Sequence, residues 1–283
     1  MAMSDPVMHG DGPVFELKVE ATELRVELRV NDVPVLRIPG GQMTTVFDVN
    51  PHVITGENAL TLIARPPRRG EEWSPHAACT VSFQRRPAVK DENAETLATL
   101  VFEGPGANVA TGFEKSPGFG TGIPPVLEPF GIRATQRFAL DTPFTPWGWL
   151  SSPPIEVTEA VRAELYAAYH RVHRMMRARD VAGLTAECAH QAADWQQAYY
   201  LPDLESAIRM LGVPDTFGDQ DVQVADFPDT HLEVELLGNG RLIQLVDRNG
   251  DAPLLMRVRG IENMTGRFVA IFCRTAGGLR MAR

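Results

Sequence analysis

Tyr169 and His173 stand four residues apart in a stretch of helical period, a spacing that brings a phenol and an imidazole side by side. Such a pair can serve acid–base chemistry, with the imidazole taking a proton near neutral pH and the phenol donating a hydrogen bond. The plainer alternative is a tyrosine ring packed with its hydroxyl at the rim, beside a solvated histidine. His170 and His173 are three apart, as are Glu187 and His190 on the next helical stretch, a pattern with which facing helices can hold metal. The angles oppose it. At about 100° per residue, His170 lies about 150° from the apolar centre of its helix and should face solvent. His190 lies off its own stripe in the same way, so neither a metal nor any other cofactor is expected. The chain contains no Cys-x-x-Cys, His-Glu-x-x-His, Gly-x-Ser-x-Gly or P-loop lysine motif, which leaves hydrolase, zinc-protease and ATPase readings without support. Its only lysines are Lys18, Lys90 and Lys115, so lysine base or Schiff-base chemistry is excluded from the second half.

Gly118-Phe119-Gly120-Thr121-Gly122 has the look of a phosphate-binding loop, but such a loop must feed a helix whose amides hold the phosphate. Ile123-Pro124-Pro125 follows instead, and the stretch reads as a long loop. Cys79, Cys188 and Cys273 are far apart, odd in number and set in apolar surroundings, so they read as small buried hydrophobes. A net charge of −9 shared by both halves repels phosphate backbones, and nucleic acid is not an expected partner. The clusters Arg65/Arg68/Arg69 and Arg85/Arg86 read as a solvated sheet edge. The first residues show no basic segment followed by an apolar one, and no apolar run reaches membrane-spanning length, so no membrane and a cytoplasmic location are expected.

The elements that must position these side chains divide by period. Apolar content of 44% and charged content of 22% suit a globular chain, and 283 residues suffice for two ordinary domains. Residues 13–103 alternate short strands with turns: Val14–Val19, Glu23–Val30, Val33–Ile38, Thr44–Val49, Ala59–Ala64, Ala78–Phe83 and Thr96–Phe102. A Gly/Pro-rich loop, 104–130, and a last strand, Gly131–Leu140, complete an all-β sandwich domain over 1–150. Ser151-Ser152-Pro153-Pro154 reads as a linker, with the break between Pro146 and Val157. An α+β domain of three helices and a bent antiparallel sheet should occupy 151–283.

Thr158 caps the first of those helices, whose apolar face is Val161, Leu165, Ala168/Tyr169, Val172 and Met176. Asp180 caps a second, with the stripe Val181, Leu184, Cys188, Ala192, Trp195 and Tyr199, expected to bury its large side chains against the sheet. A shorter third, Leu204–Leu211, stops at Gly212 and Pro214. From His231 the period returns to two. Gly238-Asn239-Gly240 and Arg248-Asn249-Gly250 are turn signals between apolar runs, so a meander is expected through Leu242–Val246, Leu254–Val258, Arg267–Cys273 and Leu279–Met281.

Two stretches resemble known families. Gly56-Glu57-Asn58-Ala59-Leu60-Thr61-Leu62 resembles the Gly-x-Asn-x-Leu turn of jelly-roll sandwiches, including sugar-binding modules. Residues 155–283, a long helix, shorter ones and then a bent sheet, resemble the nuclear-transport-factor-like roll (a cystatin-like fold) of ketosteroid isomerase, scytalone dehydratase and polyketide cyclases. That resemblance implies a pocket between helices and sheet with a carboxylate or His base and often a Tyr donor. It makes Tyr169, His173, Tyr199, Asp226 and Arg257 the pocket candidates, with no catalytic residue fixed. Many members only bind or assemble. The favoured reading is therefore a non-enzymatic binding or interaction protein, of bacterial accessory, adaptor or immunity type, acting on a protein partner or small molecule. The alternatives are a dehydratase, isomerase or cyclase in the roll cavity, and a carbohydrate-binding module. In Arg267–Cys273, Val269, Ile271 and Cys273 point away from Phe268, Ala270 and Phe272, so both faces of the final sheet should be covered, by a second copy or by the sandwich. A homodimer through that sheet is the expected cover.

Overall fold

The structure, a computed structural model, describes residues 11–68, 72–103, 113–114, 123–128, 131–228, 230–259 and 265–283. It is mostly β, with four antiparallel sheets and five α-helices among the described residues. The chain divides into two compact units, residues 10–145 and 146–283.

In the first unit, β1 (Val14–Thr22), β4 (Gln42–Asp48), β6 (Ala78–Arg86), β7 (Glu95–Glu103) and β8 (Phe113–Glu114) form one sheet in the order β4-β1-β6-β7-β8. A second sheet, ordered β3-β2-β5-β10-β9, contains β2 (Arg25–Val30), β3 (Val33–Ile38), β5 (Gly56–Arg65), β9 (Ile123–Glu128) and β10 (Gly131–Leu140). Alternation selects the face each strand buries. Val26, Leu28 and Val30 of β2 are at most 3% exposed, with Leu60 and Leu62 of β5 beside them. The two sheets meet where Phe83 of β6 lies 4.6 Å, ring to ring, from Phe138 of β10. The Asn31-Asp32 turn joins β2 to β3 with φ of 53° and 64°, the left-handed pair that a two-residue hairpin requires.

The opposite face of β2 carries charge. Glu27, 3% exposed, is held by Arg29 at 2.5 Å, Arg37 at 3.3 Å and Arg65 at 3.5 Å. Arg86 likewise pairs with the buried Glu16 at 2.9 Å. Arg65 and Arg86 are therefore partners of buried carboxylates, which corrects the expectation of a merely solvated edge. The Gly118–Gly122 loop lies outside the described residues.

In the second unit, α1 (Glu159–Ala178) starts where Thr158 Oγ1 accepts from Val161 N and ends at Arg179, whose φ is 54°. It buries Leu165, Ala168, Tyr169, Val172, His173 and Met176. The stretch expected as one helix to Tyr199 is two, α2 (Val181–Glu187) and α3 (Ala189–Ala198), joined at Cys188 with ψ of −2°. No Gly or Pro marks that joint, so the apolar period runs through it. α4 (Leu204–Met210) follows its Asp203 cap, and α5 (Val213–Gly218) is a further short helix.

The remaining strands make two sheets rather than one meander. The first orders β11 (Val222–Val224), β14 (Leu254–Val258) and β15 (Thr265–Phe268) as β11-β14-β15. The second orders β12 (Glu233–Leu237), β13 (Leu242–Val246), β16 (Phe272–Thr275) and β17 (Gly278–Met281) as β12-β13-β16-β17. The chain passes between them three times, after β11, after β13 and after β15. At 247–251, Asp247 Oδ1 accepts from Asn249 N at 2.8 Å and Asp251 N at 3.0 Å, and the flanking strands part instead of pairing. At 269–271 the expected single strand Arg267–Cys273 is interrupted. There Ala270 O accepts from Tyr169, and Ile271 N and O bond Arg283 O and Ala282 N, each at 2.7 Å.

The Ser-Ser-Pro-Pro stretch is no free tether. Arg241 donates to Ser152 O, and Ile155 N donates to Gly240 O at 2.7 Å. Trp147 and Trp149, just before it, are 1% and 4% exposed, and the division between units falls at Thr145/Pro146.

Candidate functional site

Helix α1 brings Tyr169 and His173 to one buried face, as their spacing requires, and each finds a backbone partner. Tyr169 Oη donates to Ala270 O at 2.6 Å and accepts from Leu245 N at 3.1 Å. Burial holds its hydroxyl well above the ordinary phenol range. His173 Nε2 lies 2.8 Å from Ala225 O; a carbonyl can only accept, so the ring proton sits on Nε2. Phe227 closes over both, its ring centroid 6.0 Å from that of Tyr169 and 5.8 Å from that of His173, while Phe272 lies 5.4 Å from Tyr169. Both side chains thus direct their hydrogen bonds to backbone groups, with aromatic rings beside them.

The other three candidates do not join them. Asp226 is exposed and pairs with Arg177 at the surface. Arg257 is exposed on β14, opposite Gln223 and Thr265. Tyr199, 5% exposed, meets Trp195 edge-on at 5.2 Å. Trp195 itself is only half-buried, which corrects its expected place in the core. His170 is not free in solvent either, since its ring packs edge-on against Phe227 at 4.8 Å. Glu187 of the metal constellation is taken by Arg171 through contacts of 3.1 and 2.7 Å. Burial raises the thiols of Cys79 and Cys188 to about 12, keeping them protonated and unreactive, as small core hydrophobes should be.

A cleft of about 480 Å³ opens elsewhere in the second unit. One wall is Trp149 with Ser151–Pro153, the other is His190 and Asp194 of α3, and the floor is Cys273–Ala276 with Arg280 and Ala282. Its volume lies within the range of about 300–1,000 Å³ common to small-molecule sites. Gly238 braces the Trp149 wall. Its φ is 56°, and a Cβ there would come within 2.8 Å of the Trp149 ring and 3.1 Å of Leu242, so only glycine fits. Beneath the cleft, Arg283 is 4% exposed, paired to Asp194 and stacked 5.8 Å over Trp147 and 6.0 Å over Trp149.

Sequence reading singled out His190 but not Trp149, Arg274, Thr275 or Arg280, which converge from segments more than a hundred residues apart. The one local signal is Arg280, an exposed position between buried Leu279 and Met281 in the last strand. No family model, curated protein or solved structure matches the chain.

Proposed function

We propose that the chain works by binding a small ligand in the cleft between Trp149, α3 and the β16–β17 hairpin, without chemical conversion. The observation that carries this is the contrast between the two polar groupings. Tyr169 and His173 have their hydrogen bonds directed to the chain's own backbone under Phe227. Among the described residues, the His190 and Arg280 side chains line an open cleft and make no hydrogen bond or ion pair. Groups held in reserve at a concave surface suit recognition. We read the first unit as a jelly-roll-type sandwich, supported by the Asn58 turn, and the second as a roll of nuclear-transport-factor type, supported by helices preceding strands. An accessory, adaptor or immunity-type role fits such a pairing.

A thermal-shift screen of the full chain against a metabolite set, with each hit followed by one-dimensional NMR, tests this. The expected result is a compound that raises the melting temperature, perturbs His190 and is recovered unchanged. Conversion of a hit that is lost in both Tyr169→Phe and His173→Gln, with folding retained, would replace binding by a dehydratase or isomerase role.

A further inference from the structure

The side chains of the cleft define a ligand class, an inference that rests on the binding reading above. Its charges largely cancel in pairs. Asp194 is neutralised by Arg283, and Arg274 by Glu164 at 2.8 Å. Arg280 is left, exposed at the cleft floor with no acidic partner among the described residues, and His190 stands on α3. In a chain of net charge −9, Arg280 is a local positive site within a cleft whose other charges are paired. Its planar fork matches a carboxylate with two parallel hydrogen bonds. Of the other donors, the Thr275 hydroxyl is directed to Gly278 O at 2.9 Å, the Ser151 hydroxyl to Gly148 O at 2.8 Å, and one Arg274 N–H group to Glu164. A doubly charged phosphate calls for more uncancelled positive charge than Arg280 supplies. A single carboxylate does not. The exposed Pro153 and Ala276 offer apolar surface to the rest of the molecule.

We infer that the cleft takes a small organic carboxylate with an apolar body, its carboxylate held by Arg280 and its body lying toward Pro153 and Ala276. Arg280 supplies the charge recognition, and Pro153 and Ala276 supply apolar contact.

Titration of the full chain with benzoate and indole-3-acetate, read by NMR and calorimetry, tests this against the neutral analogue benzamide and against phenyl phosphate. Both carboxylates should bind saturably, at least ten-fold tighter than benzamide, and perturb the Trp149 and His190 signals. Arg280→Gln should weaken them ten-fold or more at unchanged melting temperature, Arg280→Lys should restore part of the loss, and the exposed Arg174→Gln should change nothing. Equal affinity for benzoate and benzamide, preference for phenyl phosphate, or full affinity in Arg280→Gln would overturn the carboxylate assignment. In that case a compound from the metabolite set that still perturbs Trp149 and His190 would leave the binding reading standing. If no compound of either set perturbs them, both fail.

Discussion

Tyr169 illustrates how a residue chosen for chemistry can be committed to architecture. Its hydroxyl ties α1 to two stretches of chain that share no ladder pairing, Leu245 in β13 and Ala270 in the crossing segment. Tyr169→Phe leaves the Ala270 carbonyl and the Leu245 amide without that partner in a fully buried place, at a cost of about 1–3 kcal/mol in urea titration. A change below a few tenths would show the two bonds to be dispensable. Glu27 makes the same point in the first unit. Burial pushes its carboxyl up, but Arg29, Arg37 and Arg65 together pull harder and hold it below the ordinary value. A carboxyl whose folded pKa lies below its unfolded value of about 4.3 adds stability above that pH and loses it as pH falls through the folded value. The parent should therefore lose stability as the pH falls below the unfolded value and through the lowered folded one, and Glu27→Gln should flatten that limb. The same variant should lose about 3–5 kcal/mol at neutral pH, because it strands buried guanidinium charge. An unaltered acid limb in Glu27→Gln would assign acid sensitivity to other carboxyls. The sequence shows Glu27 on the face opposite Val26 and Leu28, but alternation cannot reveal that Arg37 and Arg65 from neighbouring strands fold over it. That requires knowing the strand order.

At the scale of elements, local pattern was most informative where one element carries its own signal. The Asn58 turn is the clearest case: its side chain bonds Ile54 N at 2.9 Å and Ile54 O at 2.7 Å, accepts from Asn31 at 2.8 Å, and stands before the buried Leu60 and Leu62. The face of α1 and the Asn31-Asp32 and Gly238-Asn239-Gly240 turns were equally legible, because each depends on residues a few positions apart. Legibility ended where backbone bonds go to distant partners. Arg267–Cys273 alternates like one strand, but Ile271 gives both its backbone groups to the last two residues of the chain, which no period records. Trp195 fails for another reason. It lies on the apolar stripe that runs through both helices, but the helix breaks at Cys188 and the ring is half-exposed. Trp195→Ala should accordingly cost less than the about 3–5 kcal/mol of a fully buried aromatic. Gly238→Ala belongs to the same scale. The methyl group would meet the Trp149 ring at a left-handed backbone position, so the variant should lose about 1–3 kcal/mol in denaturant and shift tryptophan emission as the cleft wall moves. Unchanged emission with unchanged stability would mean that the ring has room to yield.

At the scale of the whole molecule, the change of period from two to 3.6 near residue 150 placed the second unit's helices, while the tryptophans that join it lie before the Ser-Ser-Pro-Pro stretch, in residues that read as loop. Pairing of strands across 247–251 and 269–271 was beyond any local reading, and with it the faces of the final sheet. The expectation of a second copy over that sheet came from three apolar side chains, Val269, Ile271 and Cys273, placed on one open face. The single chain already buries two of them: Ile271 is 2% exposed and Cys273 7%, while Val269 is 50% exposed. Burial therefore no longer demands a second copy, and the two positions separate the cases. Ile271→Asp puts a charge where no partner waits, and should cost several kcal/mol in denaturant or prevent folding altogether, as expected of an unpaired buried carboxylate. Val269→Asp sits at the surface and should change stability by no more than about 0.5 kcal/mol. Light scattering across a dilution series decides the remaining question, with Val269→Asp beside the parent. The expected outcome is the same mass for both proteins at every concentration, since one exposed valine offers far less than the about 1,200 Å² of buried surface usual in a stable interface. A parent of twice the chain mass that Val269→Asp halves, with stability kept, would instead place a homodimer contact on this face.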